Sequence, residues 1–367
     1  MALKHREEIL AVEPYVPGKP IEEVQRKYGL KDIIKLASNE NPLGPSPKAK
    51  RALRRLINTA HIYPDGSCSA LRQQLAILLD VAENQIIFGN GSDEVLKFIA
   101  EAFLCPGDEV IMADPTFSEY QFVTRMMGAS EILVPVKGFR HDLTAMAREI
   151  TDRTKLIFIC NPNNPTGTIV TQDELDSFLR DVPNHVLVVI DEAYYEYVTS
   201  NEYPSTLPLM HKDGNVLITR TFSKIHGLAA LRIGYGLAKY EIIHLLERVR
   251  EPFNVSALAQ GAAQASLTDL DHVRKSYVIN NQGKAYLYRE LNQLGISFIP
   301  TEANFILLDL AQDGVSIFQE LLKRGVIVRS AHVFGLPTYI RVTIGTSDQN
   351  ICFIQALKEV LAGENCN

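Results

Sequence analysis

Short apolar segments alternate with amphipathic helical segments through most of this chain, and this alternation is the feature that most restricts its fold. The apolar segments have the length and the continuous hydrophobicity of buried strands, and helical patterns at 93–104, 118–127 and 172–180 separate several of them. Buried strands joined by helices form a mostly parallel sheet with helices on both faces. The predicted strands are 85–88, 108–112, 131–136, 155–160, 186–190, 215–219 and 233–238.

The pattern changes after a long helical stretch at 240–293. Short strands then flank two helices, which is typical of a smaller α+β domain. The sequence thus predicts an α/β protein with a large three-layer domain, built on a mostly parallel central sheet, at 47–270. The smaller α+β domain occupies 271–367. Residues 1–46 are rich in Pro, Gly and Asn, and we expect an N-terminal arm there that also forms part of the small domain.

Composition and charge argue against several functional classes. Lys and Arg number 37 against 43 Asp and Glu, a net charge of −6, whereas a nucleic-acid-binding protein usually carries a basic surplus. No apolar run is long enough to span a membrane, and the charged N-terminus does not resemble a secretory signal. The five cysteines form no CxxC pair and no metal-ligand spacing, which predicts a cytoplasmic protein with reduced thiols and no metal.

Ligands of such sheets bind at the carboxyl ends of the strands, so the candidate residues are sought there. After the first predicted strand, 89-GNGSDE-94 opens directly into a helix, whose free N–H groups and dipole favour an anion such as a phosphate. After strand 155–160, 161-NPNNPTG-167 forms a stiff loop whose last X-Pro bond is a candidate cis peptide. Such a loop can hold one amide side chain at a fixed angle.

Two further strand ends carry charged residues. Strand 186–190 ends in 191-DEAY-194, where a buried carboxylate requires a partner. Strand 215–219 is followed by Lys224, in an otherwise apolar stretch where a lysine can lose its proton and act as a nucleophile. Taken alone, each of these segments also fits an ordinary turn, a helix cap, a buried ion pair or a solvated lysine.

Taken together, the segments resemble the fold-type-I pyridoxal-phosphate aminotransferases of the aspartate aminotransferase superfamily, over nearly the whole chain. The resemblance implies that Lys224, in S-K-x-x-G-x-x-x-x-R, binds pyridoxal 5'-phosphate covalently and that Arg232 of the same pattern holds its phosphate. Asp191 of D-x-x-Y then pairs with the ring nitrogen, while Tyr194 and Asn164 bond the phenolic oxygen. Further phosphate contacts are implied for Ser92, Asp93, Thr221 and Ser223.

Several segments are similar to histidinol-phosphate aminotransferases in particular. That family uses histidinol phosphate with glutamate and 2-oxoglutarate, in histidine biosynthesis. The resemblance implies that Phe117 stacks on the cofactor, where many relatives have Tyr, and that Tyr63 reaches the cofactor phosphate of the neighbouring subunit in a homodimer. The segments are 14-PYVPGKP-20, 36-LASNENPLGPSP-47, 63-YPDG-66, 114-DPTFSEY-120 and 329-RSAHVFGLPTYIRVTIGT-346.

The same resemblance implies the substrate-binding residues. Arg341 matches the arginine that takes the substrate anion, and Arg329 matches a second arginine beside it. Two arginines suit a dianionic phosphate better than a single carboxylate, because each can donate a fork of hydrogen bonds. Tyr15 and Asn41 match arm residues that close over the substrate.

Other functions compete with this interpretation. An aromatic-amino-acid aminotransferase and a threonine-phosphate decarboxylase have overlapping motifs, and an imidazole and a phenyl ring fit similar slots. A nucleotide-dependent oxidoreductase would need a glycine fingerprint after the first strand with an acidic residue about 20 positions on, and neither is present. A transcription regulator on this fold would need a basic DNA-reading domain, for which the 46-residue arm has no room.

Overall fold

The structure, a computed structural model, describes residues 4–12, 14, 19–211 and 214–363. The strands within these residues follow in chain order: β1 (Ile34–Lys35), β2 (Ile86–Gly89), β3 (Glu109–Asp114), β4 (Ser130–Pro135), β5 (Thr154–Cys160), β6 (Leu187–Asp191), β7 (Asn215–Thr221), β8 (Gly234–Ala238), β9 (Ser297–Ile299), β10 (Phe305–Asp309), β11 (Val326–Ile327), β12 (Arg329–Ser330) and β13 (Tyr339–Thr343).

The α-helices of the same residues cover the sheets. In chain order they are α1 (Ile21–Tyr28), α2 (Pro47–Leu56), α3 (Ser69–Leu79), α4 (Ser92–Phe103), α5 (Glu119–Met126), α6 (Leu143–Arg148), α7 (Gln172–Asp181), α8 (Tyr240–Leu246), α9 (Ala257–Leu267), α10 (Leu270–Gln293), α11 (Gly314–Lys323) and α12 (Ser347–Leu361).

Seven strands form the large sheet, in the order β2-β8-β7-β6-β5-β3-β4. All neighbours pair in parallel except β8, which runs antiparallel to both β2 and β7. The predicted mostly parallel α/β sheet is confirmed, and its strands lie within a few residues of the predicted ranges. Because β8 alone is reversed, the carboxyl ends of β2, β5, β6 and β7 lie at one edge, together with the amino end of β8.

Both faces of this sheet are buried, which explains why its strands are continuously apolar rather than alternating. Successive residues of a strand point to opposite faces. Thus Ile157 and Ile159 of β5 belong to one apolar core, whereas Leu156 and Phe158 belong to the core on the other side. The helices complete the outer layers, for example α4 and α5 on one face and α7 and α9 on the other.

Two smaller sheets form a separate core. The first is antiparallel, in the order β12-β13-β10-β9, and the second pairs β1 in parallel with β11. Leu36, Leu308, Val342 and Phe353 are among the buried residues that these strands, α10, α11 and α12 share. The segment around β1 thus packs with the C-terminal part. The boundaries at 46/47 and 270/271 stay predictions.

The long helical stretch at 240–293 is divided into three helices. Helix α8 ends before Pro252, α9 follows, and α10 begins at Leu270. None of the helices in the described part of the chain combines the length and the hydropathy that a bilayer-spanning segment needs.

Candidate active site

A cavity of about 750 Å³ opens where the carboxyl edge of the large sheet meets the antiparallel sheet. It brings together residues that are scattered along the sequence from the arm to β13. Of the predicted site residues, those that line it are Ser92, Asp93, Phe117, Asn164, Asp191, Tyr194, Thr221, Ser223, Lys224, Arg232, Arg329 and Arg341. The strand ends that the sequence singled out therefore converge on one space.

Lys224 lies in the loop after β7. Its Nζ donates a hydrogen bond to the carbonyl oxygen of Ser38 at 3.3 Å and lies 5.4 Å from the centroid of the Tyr194 ring. Burial, and after it the positive charge of Arg341, lowers the pKa of this amine to about 8. A larger fraction of the amine is therefore neutral and nucleophilic at neutral pH than for an ordinary lysine.

Asp191 is the last residue of β6 and is only 2% exposed. The Tyr120 hydroxyl donates a hydrogen bond to its Oδ2 at 2.8 Å, and the Ala193 N–H donates to Oδ1 at 3.2 Å. Burial raises the pKa of this carboxyl to about 6, although both hydrogen bonds act to lower it. A cationic ring nitrogen beside the carboxylate would favour its ionised form.

An anion cradle is formed by the start of α4 and the end of the β7–β8 connection. Arg232 donates from Nη2 to Oδ2 of Asp93 at 2.8 Å and from Nη1 to the Ser223 hydroxyl at 3.4 Å. The first N–H groups of α4 point out of the helix and favour an anion. Gly91 has a φ of +80°, and a Cβ there would lie 2.6 Å from Nη2 of Arg232. The cradle thus requires glycine at position 91.

Arg341 connects the two sheets across the cavity. Its guanidinium donates to Oδ1 of Asn164 at 2.5 Å and to the carbonyl of Ala37 at 2.8 Å. Because Oδ1 of Asn164 accepts this bond, the amide NH₂ is the end that remains for a ligand.

The predicted cis peptide between Asn164 and Pro165 is present. Arg329 stands directly opposite Arg341 in the register of β12 and β13.

Tyr194 has the surroundings of a hydroxyl that stays protonated. Burial raises its pKa well above the usual value. Its oxygen accepts a hydrogen bond from Nδ2 of Asn39 at 3.0 Å, and its ring packs edge-on against Phe305. The hydroxyl proton therefore remains available to a ligand oxygen.

Two of the predicted residues that the structure describes do not line the cavity. The prediction that Asn41 contacts the substrate is not supported by its position, because its side chain donates to Ile225 and Ser276 and accepts from the Leu43 N–H. These bonds fix the arm instead. Tyr63 is 81% exposed and lies outside the cavity. Tyr15 lies outside the described residues.

Asn39 and Tyr120 are among the residues of this site that sequence reasoning missed. Asn39, two positions before the predicted Asn41, lines the cavity and bonds Tyr194. Tyr120 supplies the hydroxyl that holds Asp191. A buried tyrosine usually finds a partner for its hydroxyl, which is a signal that could have drawn attention to Tyr120. Its sequence position gives no indication of which carboxylate it contacts.

We expect the amine of Lys224 in cofactor-free protein to titrate near pH 8, against about 10.4 for an ordinary lysine. Competitive acetylation at a series of pH values, followed by peptide mass spectrometry, measures this midpoint. Arg341→Met should raise the midpoint, because it removes a positive charge while burial remains. A midpoint at the ordinary lysine value in the unsubstituted protein would contradict the prediction.

Known proteins are similar to this chain over nearly its whole length. Residues 31–357 match the family described as "Aminotransferase class I and II". The histidinol-phosphate aminotransferase of Moorella thermoacetica is 58% identical over 98% of this chain and 93% of its own length. That of Caldicellulosiruptor saccharolyticus is 48% identical, over 97% of this chain and 99% of its own.

One solved structure has a closely similar fold. The histidinol-phosphate aminotransferase of Sinorhizobium meliloti, in complex with pyridoxal-5'-phosphate, has a TM-score of 0.89 at 25% identity and covers 99% of both chains. The chain therefore belongs to the aminotransferase class I and II family and, within it, to the histidinol-phosphate aminotransferases.

Proposed function

We propose that this protein transfers the amino group between L-histidinol phosphate and 2-oxoglutarate, with pyridoxal 5'-phosphate as its cofactor. The products are 3-(imidazol-4-yl)-2-oxopropyl phosphate and L-glutamate, and the reaction is used in the synthesis of histidine. The observation that carries the proposal is the cavity itself, in which a buried lysine of lowered pKa lies between an anion cradle and a pair of arginines.

The residues of the cavity fit the cofactor. A Cβ on Gly91 would displace the Arg232 guanidinium of the cradle, which offers N–H and hydroxyl donors to a phosphate. The phosphate contacts are Ser92, Asp93, Thr221, Ser223 and Arg232. Asp191 is a buried carboxylate, and among the residues that the structure describes no lysine or arginine forms a direct hydrogen bond to it. A pyridinium nitrogen would supply that missing positive charge.

Bound pyridoxal phosphate supplies an electron sink that stabilises negative charge at the substrate Cα. The Lys224 amine would bind the cofactor and, once released, would carry the proton between the substrate Cα and the cofactor carbon C4′. Asp191 keeps the proton on the ring nitrogen. Asn164 and Tyr194 donate hydrogen bonds to the phenolic oxygen. Phe117 packs against the ring.

The arginine pair favours a phosphate substrate. Side chains directly opposite each other on antiparallel strands lie on one face of the sheet, and like charges there repel. The register places Arg329 opposite Arg341, and a dianion bound beside the pair would offset this repulsion. Arg341 also serves the α-carboxylate of glutamate, since one anion site must accept both substrates in turn. Arg329 contributes mainly to the phosphate.

A second candidate is the transamination of aromatic amino acids. The wall of the cavity formed by Phe117, Phe122 and Val12 is apolar and suits a flat ring of either kind. The arginine pair is what favours histidinol phosphate over this alternative.

We also propose that the active enzyme is a homodimer with shared sites. Tyr63 stacks on Phe253 with ring centroids 5.1 Å apart, yet both side chains are exposed, at 81% and 48%. Ile57 and Ile62 nearby are exposed as well. Clustered exposed apolar side chains mark an interaction surface. A second copy on this surface would place its Tyr63 at the neighbouring cofactor phosphate, and Tyr15 would act from the arm.

Its place in the cell is inferred as the cytoplasm. Cys68 and Cys160 are buried, Cys105 and Cys352 are exposed, and all four are free thiols. Free thiols persist in a reducing compartment.

The substrate assignment predicts how the two arginines differ. Arg329→Ala should lower kcat/KM for histidinol phosphate about 10- to 100-fold, because one charge-assisted hydrogen bond contributes a free energy of that size. The kcat/KM for phenylalanine should not change. Arg341→Ala should impair every substrate. Initial rates with each amino donor measure both effects, and Arg289→Ala on the surface of α10 is the control. An equal loss for both substrates in Arg329→Ala would favour the aromatic alternative.

The shared site predicts complementation between inactive variants. Tyr63→Ala and Lys224→Ala are each expected to be inactive, but a mixed dimer contains one site with neither substitution. Random exchange of subunits should therefore recover about a quarter of the wild-type activity. The measurement compares the mixture before and after subunit exchange. A fully active monomer at low concentration would argue against sharing.

A further inference from the structure

The cavity has an acidic side chain that the proposed mechanism does not use. Glu119 is the first residue of α5 and lines the cavity beside Phe117 and Phe122. The arginine pair lies on a different element, the antiparallel sheet. The cavity walls thus offer an anion site at the arginine pair and, separately, an aromatic slot at Phe117 and Phe122. The carboxyl group of Glu119 belongs to the slot.

The Glu119 carboxyl lacks a fixed partner. The side chain is half-buried, and no hydrogen bond or ion pair joins it to any residue that the structure describes. Burial is the main factor that raises its pKa, to about 7, with a smaller contribution from the negative charge of Asp93. The start of a helix would by itself favour the ionised form, so burial outweighs that effect.

The cofactor cradle does not account for this residue. Arg232 opposes the rise in the Glu119 pKa, but its hydrogen bonds go to Asp93, Ser223 and the Ala229 carbonyl. An extra carboxylate close to a phosphate group would repel it. The group that Glu119 suits is a donor on the substrate.

Of the two rings that fit the slot, only imidazole carries such a donor. Its N–H can donate to the carboxylate, and its own pKa near 6.5 lies close to that of Glu119, so the two groups can share one proton at neutral pH. A phenyl ring in the same place would bury the carboxyl group without a partner. Sites built to hydrogen-bond a substrate reject analogues that lack the bonding group.

We propose that Glu119 is the residue that distinguishes the imidazole ring of histidinol phosphate from a phenyl ring, by accepting a hydrogen bond from the imidazole N–H. This inference rests on the proposed function and deepens it. The aromatic side chains of Phe117 and Phe122 then bind either ring, while the carboxyl group supplies the selectivity.

A matched pair of substrates isolates the ring. Histidinol phosphate and phenylalaninol phosphate share the amine, the stereocentre and the phosphate, and differ only in the ring. In the cofactor-loaded wild type, kcat/KM should favour histidinol phosphate. Glu119→Leu should reduce that preference by about 10- to 100-fold, mainly by loss on histidinol phosphate. Glu119→Gln keeps an acceptor oxygen and should retain part of the preference.

Two further measurements separate recognition from a general defect. Gln121→Leu removes a neutral polar side chain from the same helix and the same cavity, and should leave the preference within about threefold of wild type. Calorimetric titration of each phosphate into cofactor-loaded Lys224→Ala, with and without Glu119→Leu, measures ring selectivity without turnover.

The outcomes distinguish this inference from the proposed function. Wild-type protein that processes neither phosphate overturns the proposed function and this inference with it. A wild type that processes histidinol phosphate, with the same preference in Glu119→Leu, overturns this inference alone. Glu119→Leu could instead bind the cofactor more weakly and show unchanged ring selectivity in the titrations. That result would assign the carboxyl group to the cradle and would also overturn the inference.

Discussion

The site depends on a buried hydrogen-bond network that joins the antiparallel sheet to the edge of the parallel sheet. Asn39 is at its centre. Its N–H and its side chain bond Thr343 of β13, its amide nitrogen bonds Tyr194, and its carbonyl accepts from Asn304. Arg341 adds a bond to Asn164. Because these groups are buried, breaking one bond leaves a polar atom without a partner, which is costly. The network therefore fixes the relative position of both halves of the cavity.

Burial also prepares the chemistry. The same desolvation lowers the pKa of Lys224 and raises those of Asp191 and Glu119, because in each case the charged form loses contact with water. The three groups differ in their contacts and in what the shift makes them able to do. Lys224 is left more neutral and reactive, Asp191 is held by Tyr120, and Glu119 has its acceptor atoms free for a ligand. One cavity thus gives three ionisable groups three roles.

Much of this could be predicted from the sequence, and the reasons are physical. Continuous apolar strands identify a sheet buried on both faces, and the carboxyl ends of its strands identify Asp191 and Lys224 as members of one site. The choice between Asn39 and Asn41 could not be made, because both lie in the same irregular segment and only tertiary contacts separate them. The reversal of β8 and the contact of Tyr120 with Asp191 likewise depend on packing, which periodicity does not encode.

The reversed strand β8 places two of the proposed cofactor residues on a single connection. Lys224 and Arg232 lie on the connection between β7 and β8, and this connection is closed by the pairing of Thr221 with Gly234. The residues proposed to anchor the cofactor are thereby part of one hairpin of the large sheet, while the arginines proposed for the substrate anion belong to the antiparallel sheet. The bond from Arg341 to Asn164 joins the two groups across the cavity. A shift of either sheet would therefore move the substrate anion site relative to the cofactor.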